Sequence, residues 1–510
     1  MSQPSQSEIP KSLTRVLIYG NSLAANQAAL ALSEALNERI EIVLVNSQQG
    51  ACKSDILYGG VSPPEAYDTH LSLKLSEPEL LLNTNTSFSF GSHYQSWGLH
   101  KQSWVQCYHL PFTTPAGVDF HHIVTKHKAQ LSDYLISAQA ALEGKFAHPP
   151  LQDSSSALSR AEYGYHFDHQ LFNSLLAQKV AFSRVKVVNS TLKKIEINKQ
   201  SIQALVLESG ETITADLYID ASGIDASLLS HLCEEFISTR EVSVKYVEKA
   251  TENVGAPCRK IVASADGWQA TTPLRGKNSV LTLTLPKEES TKSSEPDENN
   301  NSVHFASVAL GYRRFGWVGN CVGLGHAACV IDPVSPAPMK LLSLDLSRLL
   351  ELIPIDTNMQ MERQEYNRRF TNDVTHANLF NKALYDCRLQ LKDSNEALLE
   401  TVDQETDFWR SAEETGKSDL LNRKITQFLH RGILVSYDLE PFNQQDWTIL
   451  HNGMNRRPAK FDRLAEQVDQ EKMQSSLDAL QAGIKQLVSR MPMHHIYLDK
   501  LLQYLQDKHK

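Results

Sequence analysis

Three stretches of this chain run from a short apolar strand into a turn of small residues, and they restrict the fold more than anything else in it. The first spans residues 15–32 and opens RVLIYG; the second spans 217–229 and contains Asp220-Ala221-Ser222-Gly223. The third spans 315–352, where an apolar strand over 321–324 enters Gly325-His326-Ala327-Ala328. It then passes Pro333, Pro336 and Pro338 into a helix near Met339. Small residues at a strand-to-helix turn let the backbone approach a ligand, and a helix start offers free N–H groups. Each stretch alone also reads as a tight core crossing. Three together predict one large cofactor cradle.

The opening is β-α-β: a buried strand over 15–20, an alanine-rich helix over 21–36 with one apolar face, and a second buried strand over 40–46. That is the start of a doubly wound α/β dinucleotide fold. The GxGxxG fingerprint reads Gly20-Asn21-Ser22-Leu23-Ala24-Ala25, which makes Gly20, Ser22 and Ala25 candidate cofactor contacts. Asn46 stands where an acid would grip a ribose hydroxyl, and a neutral amide bonds a hydroxyl more weakly than a carboxylate does. A purely structural β-α-β is the alternative.

Residues 47–160 read as irregular, with Gly59-Gly60, Pro63-Pro64 and one aromatic, serine-rich strand over 87–97, a pattern suited to a lid or platform. A helix is expected up to residue 181, then strands over 185–188, 192–197, 202–208, 211–215 and 217–219, with a helix start after Gly223. Residues 241–286 alternate like an antiparallel sheet. The run KEESTKSSEPDENNNS (287–302) has too little apolar surface to order itself and predicts a disordered surface loop, as does the polar lead-in 1–12. From residue 341 the pattern is helical: 341–352, 359–392, 395–406, 418–431, 460–490 and a short helix from 494. The expected division is an α/β core over 13–340 and a helical C-terminal lobe over 341–510.

The 510 residues suit two or three lobes in one unit. A net charge of −9 without a basic block argues against sequence-independent nucleic-acid binding. Seven scattered cysteines without a CxxC pair fit a reducing compartment, not a disulfide framework or a structural zinc site. The N-terminus MSQPSQSEIPK lacks the apolar core of a signal peptide, and no apolar run reaches membrane-span length. A cytoplasmic protein that binds neither membrane nor nucleic acid is expected.

Several short pieces, in order and spacing, resemble the flavin-dependent tryptophan halogenases along nearly the whole chain. They are Tyr163-Gly164-Tyr165-His166-Phe167-Asp168, the 217–223 turn, Gly311-Tyr312-Arg313 and residues 320–328. Tyr366-Asn367-Arg368, Asp407-Phe408-Trp409, Trp447, Gly453-Met454, Pro458 and Met491-Pro492-Met493-His494 continue the series. The resemblance implies a flavin-monooxygenase-type fold using FAD, supplied reduced by a separate flavin reductase. In that family a flavin hydroperoxide oxidises halide to hypohalous acid. The acid travels down a tunnel to a lysine and a glutamate beside an aromatic substrate.

An amine can hold an electrophilic halogen, and a carboxylate can take the ring proton. The lysine position, framed by Phe88 and Trp97, is Ser89; the glutamate position, after Asp332-Pro333-Val334, is Ser335. The halide-side Ser-Thr pair becomes Pro336-Ala337, and Gly-Trp-x-Trp-x-Ile-Pro reads Gly267-Trp268-Gln269-Ala270-Thr271-Thr272-Pro273. The flavin-covering strap falls at 58–64, keeping Ser62 but losing its acid. By the same resemblance, Asp220, Gly223, Gly325, His326 and Ala328 shape the flavin site.

Two functions follow as expectations. One is a divergent halogenase-like oxidoreductase that binds FAD and acts on an indole-type aromatic. The other is a non-catalytic halogenase-fold binding protein that has lost FAD. Ser89, Ser335 and nearby His93 are the candidate catalytic positions, His93 because its ordinary pKa suits neutral pH. Trp97, Trp268 and Tyr94, with Trp104, are candidates for sandwiching a planar substrate, or else are core. His326 is read as a phosphate-holding cation or a solvated turn residue. Arg313 and Arg314 either orient a substrate carboxylate or pair with acids. His121-His122 and His494-His495 read as surface residues, and no metal is expected. The expected partners are a flavin reductase, a small aromatic molecule and a second copy of the chain in a homodimer.

Overall fold

The computed structural model describes residues 11–47, 52–98, 101–110, 117–150, 157–286, 302–386, 407–414 and 418–508. The β-α-β opening forms as read: β1 Arg15–Tyr19, α1 Leu23–Ala35 and β2 Glu41–Asn46. β1 and β2 are parallel inner strands of a six-stranded sheet and read as continuous apolar runs because both faces are covered. The strand Leu217–Asp220 pairs in parallel with β1 on its other side, and Cys321–Gly323 pairs in parallel with Leu217–Asp220. The three predicted turns therefore leave the same edge of one sheet. Ala221 N–H donates to Tyr19 O (2.9 Å) and Leu324 N–H to Asp220 O (2.9 Å), tying the turns together.

The predicted antiparallel region is a second, eight-stranded sheet in which Phe236–Ala250 pairs with both Lys277–Thr284 and Ser302–Arg313. Its far edge is Arg259–Ser264, Ser92–Trp97 and Gln102–Gln106. The stretch read as one strand over 87–97 is two. Ser87–Ser89 belongs to a small sheet with Gly164–His166 and Val61–Ser62, and Ser92–Trp97 belongs to the large one. The break is at Gly91, whose φ of +127° suits glycine and whose Cβ would overlap the carbonyl of Gln106.

Other boundaries differ from expectation. No α-helix follows Gly223; two short 3-10 turns, Gly223–Asp225 and Leu229–His231, take its place. Residues 47–160 hold several short helices, among them Glu77–Asn83, capped by Ser76. The helix expected from Met339 starts at Ala337. The expected 460–490 helix is a 3-10 turn, Arg463–Gln467, then Gln470–Arg490 behind the cap Asp469. Gln444–Gly453, opened by an Asn443/Asp446 capping box, was not read from the sequence. The short helix from His494 runs to Lys508. The disorder expected over 287–302 lies outside the described residues except at Ser302, which opens the strand Ser302–Arg313, and the helix expected over 395–406 lies outside them entirely. Of the lead-in, Lys11 and Ser12 are placed, Ser12 bridging to Asp356.

One apolar core runs from Leu13 to Leu505, so the C-terminal helices share their interior with the α/β part. Among the described residues no helix is long and apolar enough to cross a membrane.

Candidate functional site

The cradle predicted from the three turns exists in backbone. Ser22 caps α1: its hydroxyl donates to Ala221 O (2.6 Å) and accepts from Ala25 N–H (3.1 Å). Asp220 is buried and accepts from Ser222, Leu228 and Leu229 N–H (3.0, 2.8 and 2.7 Å), so its carboxylate shapes its own turn. Gly325, with φ +55°, donates its N–H to Asp345 (3.3 Å). Asp345 pairs with Arg348 (2.8 Å), which also reaches Asp373. This buried ion triad sits directly behind the third turn. Gly20, Ser22, Ala25, Asp220, Gly223, Gly325, His326 and Ala328 are thus brought together, with Asn46 at the end of the neighbouring strand.

What lies inside the cradle was not foreseen. The 3-10 turn Lys53–Tyr58 packs into it. Leu23 N–H, at the start of α1 where a dinucleotide phosphate would be met, donates to the Asp55 carboxylate (3.0 Å). A Cβ on Gly223 would overlap the Ser54 hydroxyl and crowd Cys52, and a Cβ on Gly325 would overlap the Tyr58 hydroxyl. The Tyr58 ring stacks on His326 at 4.0 Å. Asp55 is 2% exposed, and burial pushes its carboxyl up to about 8. Burial lowers His326 to about 4, so it is a neutral core ring and neither a phosphate-holding cation nor a solvated turn residue. As folded, these residues do not accept a flavin dinucleotide: the surfaces that would face it are in contact with residues 52–58. Asn46 Oδ1 beside the cradle is buried without a partner, as is Ser62 Oγ on the strap.

The second region lies where the small and large sheets meet. The Ser89 hydroxyl bonds Gly91 N–H (3.2 Å) and Tyr108 OH (3.3 Å). Ser335 donates to Asn381 Oδ1 (2.5 Å) and accepts from Ala337 N–H at the helix start (3.2 Å). Asp332 is held by Arg240 (3.0 Å) and Tyr385 OH (2.9 Å). His93 neighbours Tyr94 in Ser92–Trp97 but faces the other way, bonded to Ser103 (3.1 Å), so it does not join Ser89. Tyr94 OH donates to Val334 O (2.7 Å), Trp97 Nε1–H to Leu384 O (2.7 Å) and Trp268 Nε1–H to Tyr385 OH (3.0 Å). These three aromatics are buried with their polar ends engaged, and Tyr94 stacks on Trp104 at 4.6 Å.

Two further expectations change, and of the two readings of Arg313 and Arg314, pairing with an acid holds for Arg314. His121 and His122 are buried, bonded to Gly432 O and Asp462 N–H, and with Asp119 they group three potential metal-ligand atoms within 4.8 Å of one another. His494 is fully buried between Gly255 O and Phe88 N–H. Arg313 holds the carbonyls of Cys233 and Ala327, while exposed Arg314 pairs with Glu235. Sequence reading also missed Asp55 and Arg259. The signal for Arg259 was a charged residue in phase with inward-facing Ile261 and flanked by Cys258.

A doubly wound sheet with a fingerprint turn, joined to a large antiparallel sheet and a helical lobe, defines a flavin-monooxygenase-type architecture. The tryptophan halogenase family model matches residues 15–470, and the chain belongs to that family. The family is flavin-dependent and uses FAD, supplied in reduced form by a separate flavin reductase. Among curated proteins the chain is 22% identical to tryptophan 7-halogenase KtzQ of Kutzneria over 451 residues, 81% of each chain. It is 20% identical to tryptophan 7-halogenase RebH of Lentzea aerocolonigenes over 462 residues, 82% of each. Among solved structures it resembles BrvH, a flavin-dependent halogenase from Brevundimonas, with TM-score 0.83 and 22% identity, covering 96% of this chain and 99% of that one. Xcc4156, a flavin-dependent halogenase from Xanthomonas campestris, gives TM-score 0.83 and 21% identity, covering 96% and 98%.

Proposed function

We propose that this chain is a halogenase-fold binding protein that does not run the family's halogenation, and in which residues 52–58 stand in for the cofactor. The observation that carries this reading is the Asp55 carboxyl group on the α1 N-terminus, with Ser54 against Gly223 and Tyr58 against Gly325. Ser89 and Ser335 support it. A serine hydroxyl is un-ionised at neutral pH, so it neither holds an electrophilic halogen as an amine does nor takes a ring proton as a carboxylate does. A reducing, cytoplasmic setting goes with this proposal.

One observation favours a second reading, a flavin-dependent oxidoreductase of altered chemistry on an indole-type substrate, working with a reductase. The orphan Asn46 Oδ1 is a buried acceptor beside the cradle that a ribose hydroxyl would satisfy. That reading requires residues 52–58 to withdraw.

The test is turnover of the purified chain with FAD, a flavin reductase, NADH, oxygen, chloride or bromide, and tryptophan or indole, read by mass spectrometry. The proposal expects no halogenated and no oxygenated product. Halogenation would overturn it; oxygenation alone would establish the second reading.

A further inference from the structure

We infer that Arg259 is the anchor of a buried carboxylate-binding site between the strands that carry Ser89 and the Asp332-Pro333-Val334-Ser335 element. This goes beyond the reading above and does not depend on whether flavin binds.

Arg259 opens the strand Arg259–Ser264, which runs parallel to Ser92–Trp97 with Arg259 opposite Ser92. Its N–H donates to Gly91 O (3.0 Å), and Phe90 N–H donates to Pro257 O (2.6 Å), so its backbone is fixed against the turn that follows Ser89. The side chain is 1% exposed and passes below the strap, where a Cβ on Gly59 would come within 3.3 Å of the guanidinium. Among the described residues its side chain makes one hydrogen bond, Nη1–H to Pro333 O (2.6 Å), and it lies 5.8 Å from the Trp268 ring. The nearby carboxylate, Asp332, is already committed to Arg240 and Tyr385. Burial lowers the Arg259 pKa to about 10, with Tyr94, Asp332 and Tyr108 pulling the other way; the group remains a cation at neutral pH.

Nε and Nη2 of Arg259 are buried and have no partner among the described residues. They lie along one edge of the guanidinium, the two-N–H fork whose spacing matches the two oxygens of a carboxylate. Leaving a buried charged donor pair unmade is costly, so a native site of this kind calls for an occupant. A fork prefers a two-oxygen anion to a spherical halide. A second buried orphan is His166: fully buried, it has Nε2 without a partner among the described residues and is kept neutral by burial, with the His494 and Arg259 charges acting in the same direction. Ser87 gives its proton to Pro273 O (2.6 Å), so the His166 Nδ1 contact (3.2 Å) has Nδ1–H as donor and Nε2 as an acceptor. The ligand class is a small organic carboxylate.

The test is calorimetric titration of the full chain with benzoate, and with benzamide as the uncharged isostere, at matched ionic strength. Benzoate is expected to bind at least about tenfold more tightly than benzamide, to resist competition by chloride or bromide, and to slow amide exchange at residues 59–60 and 258–261. Arg259→Gln should lose about tenfold or more in benzoate affinity, and Arg259→Lys, a point charge without the fork, should fall between. Equal binding of benzoate and benzamide, full competition by halide, or unchanged benzoate binding in Arg259→Gln would overturn the proposal. Should the variants fail to fold, the benzoate–benzamide comparison and the exchange pattern of the wild type decide.

Discussion

The two regions of the candidate site are built in opposite ways. In the cradle the backbone turns persist, while side chains from residues 52–58 occupy the interior. In the second region the two positions that the family resemblance points to carry small hydroxyls, Ser89 and Ser335, and a buried cation, Arg259, enters from another strand. The difference shows what a small-residue turn does and does not report. A Cβ on Gly20 would strike the carbonyl of Ala221, and one on Gly325 the hydroxyl of Tyr58. Both glycines are demanded by the protein's own packing, so their presence is not evidence for a bound dinucleotide.

The largest effect that would sharpen this contrast is at the ion triad behind the third turn. Asp345→Ala leaves Arg348 buried with Asp373 alone, and unfolding by urea should show a loss of about 3–5 kcal/mol. A loss below 1 kcal/mol would mean the turn does not depend on its pedestal. Next comes Gly20→Ala, where the overlap and a φ of +143° should cost about 2–3 kcal/mol with or without FAD present. A stability loss that FAD reverses would break the contrast, because the glycine would then serve the ligand.

Asp55 gives a pH-dependent effect. Its folded pKa, about 8, lies above the ordinary carboxyl value, so the folded chain binds this proton more tightly than the unfolded chain. The contribution to stability is therefore largest in acid, falls as pH rises from about 4 towards 8, and is level above that. The gap in melting temperature between wild type and Asp55→Asn should shift against the wild type across that window; a constant gap would contradict the assignment. The smallest effect is Ser22→Ala, expected to cost about 1 kcal/mol through the lost α1 cap.

The opening β-α-β and the convergence of three turns were legible because buried parallel strands and small-residue turns follow from local pattern. The break at Gly91 was not, because alternation continues through it and only the distant Gln106 carbonyl forces it. The filled cradle was also hidden. Asp55 lies among irregular residues, and nothing in its neighbours says that it folds back onto Leu23. Burial of His121, His326 and His494 was missed for a related reason: a histidine's polarity suggests solvent, whereas each ring here is satisfied or stacked inside the core. The family resemblance drew attention to Ser89 and Ser335, but Arg259 comes from a strand that no quoted motif of that resemblance includes.

The central claim is that residues 52–58 exclude the cofactor, and a fluorescence-quenching titration with FAD tests it most directly, wild type beside an Asp55→Ala/Tyr58→Ala double variant. The account predicts no saturable binding by the wild type at tens of micromolar FAD and measurable binding once the two side chains are removed. Saturable micromolar binding by the wild type, with no gain in the variant, would contradict it.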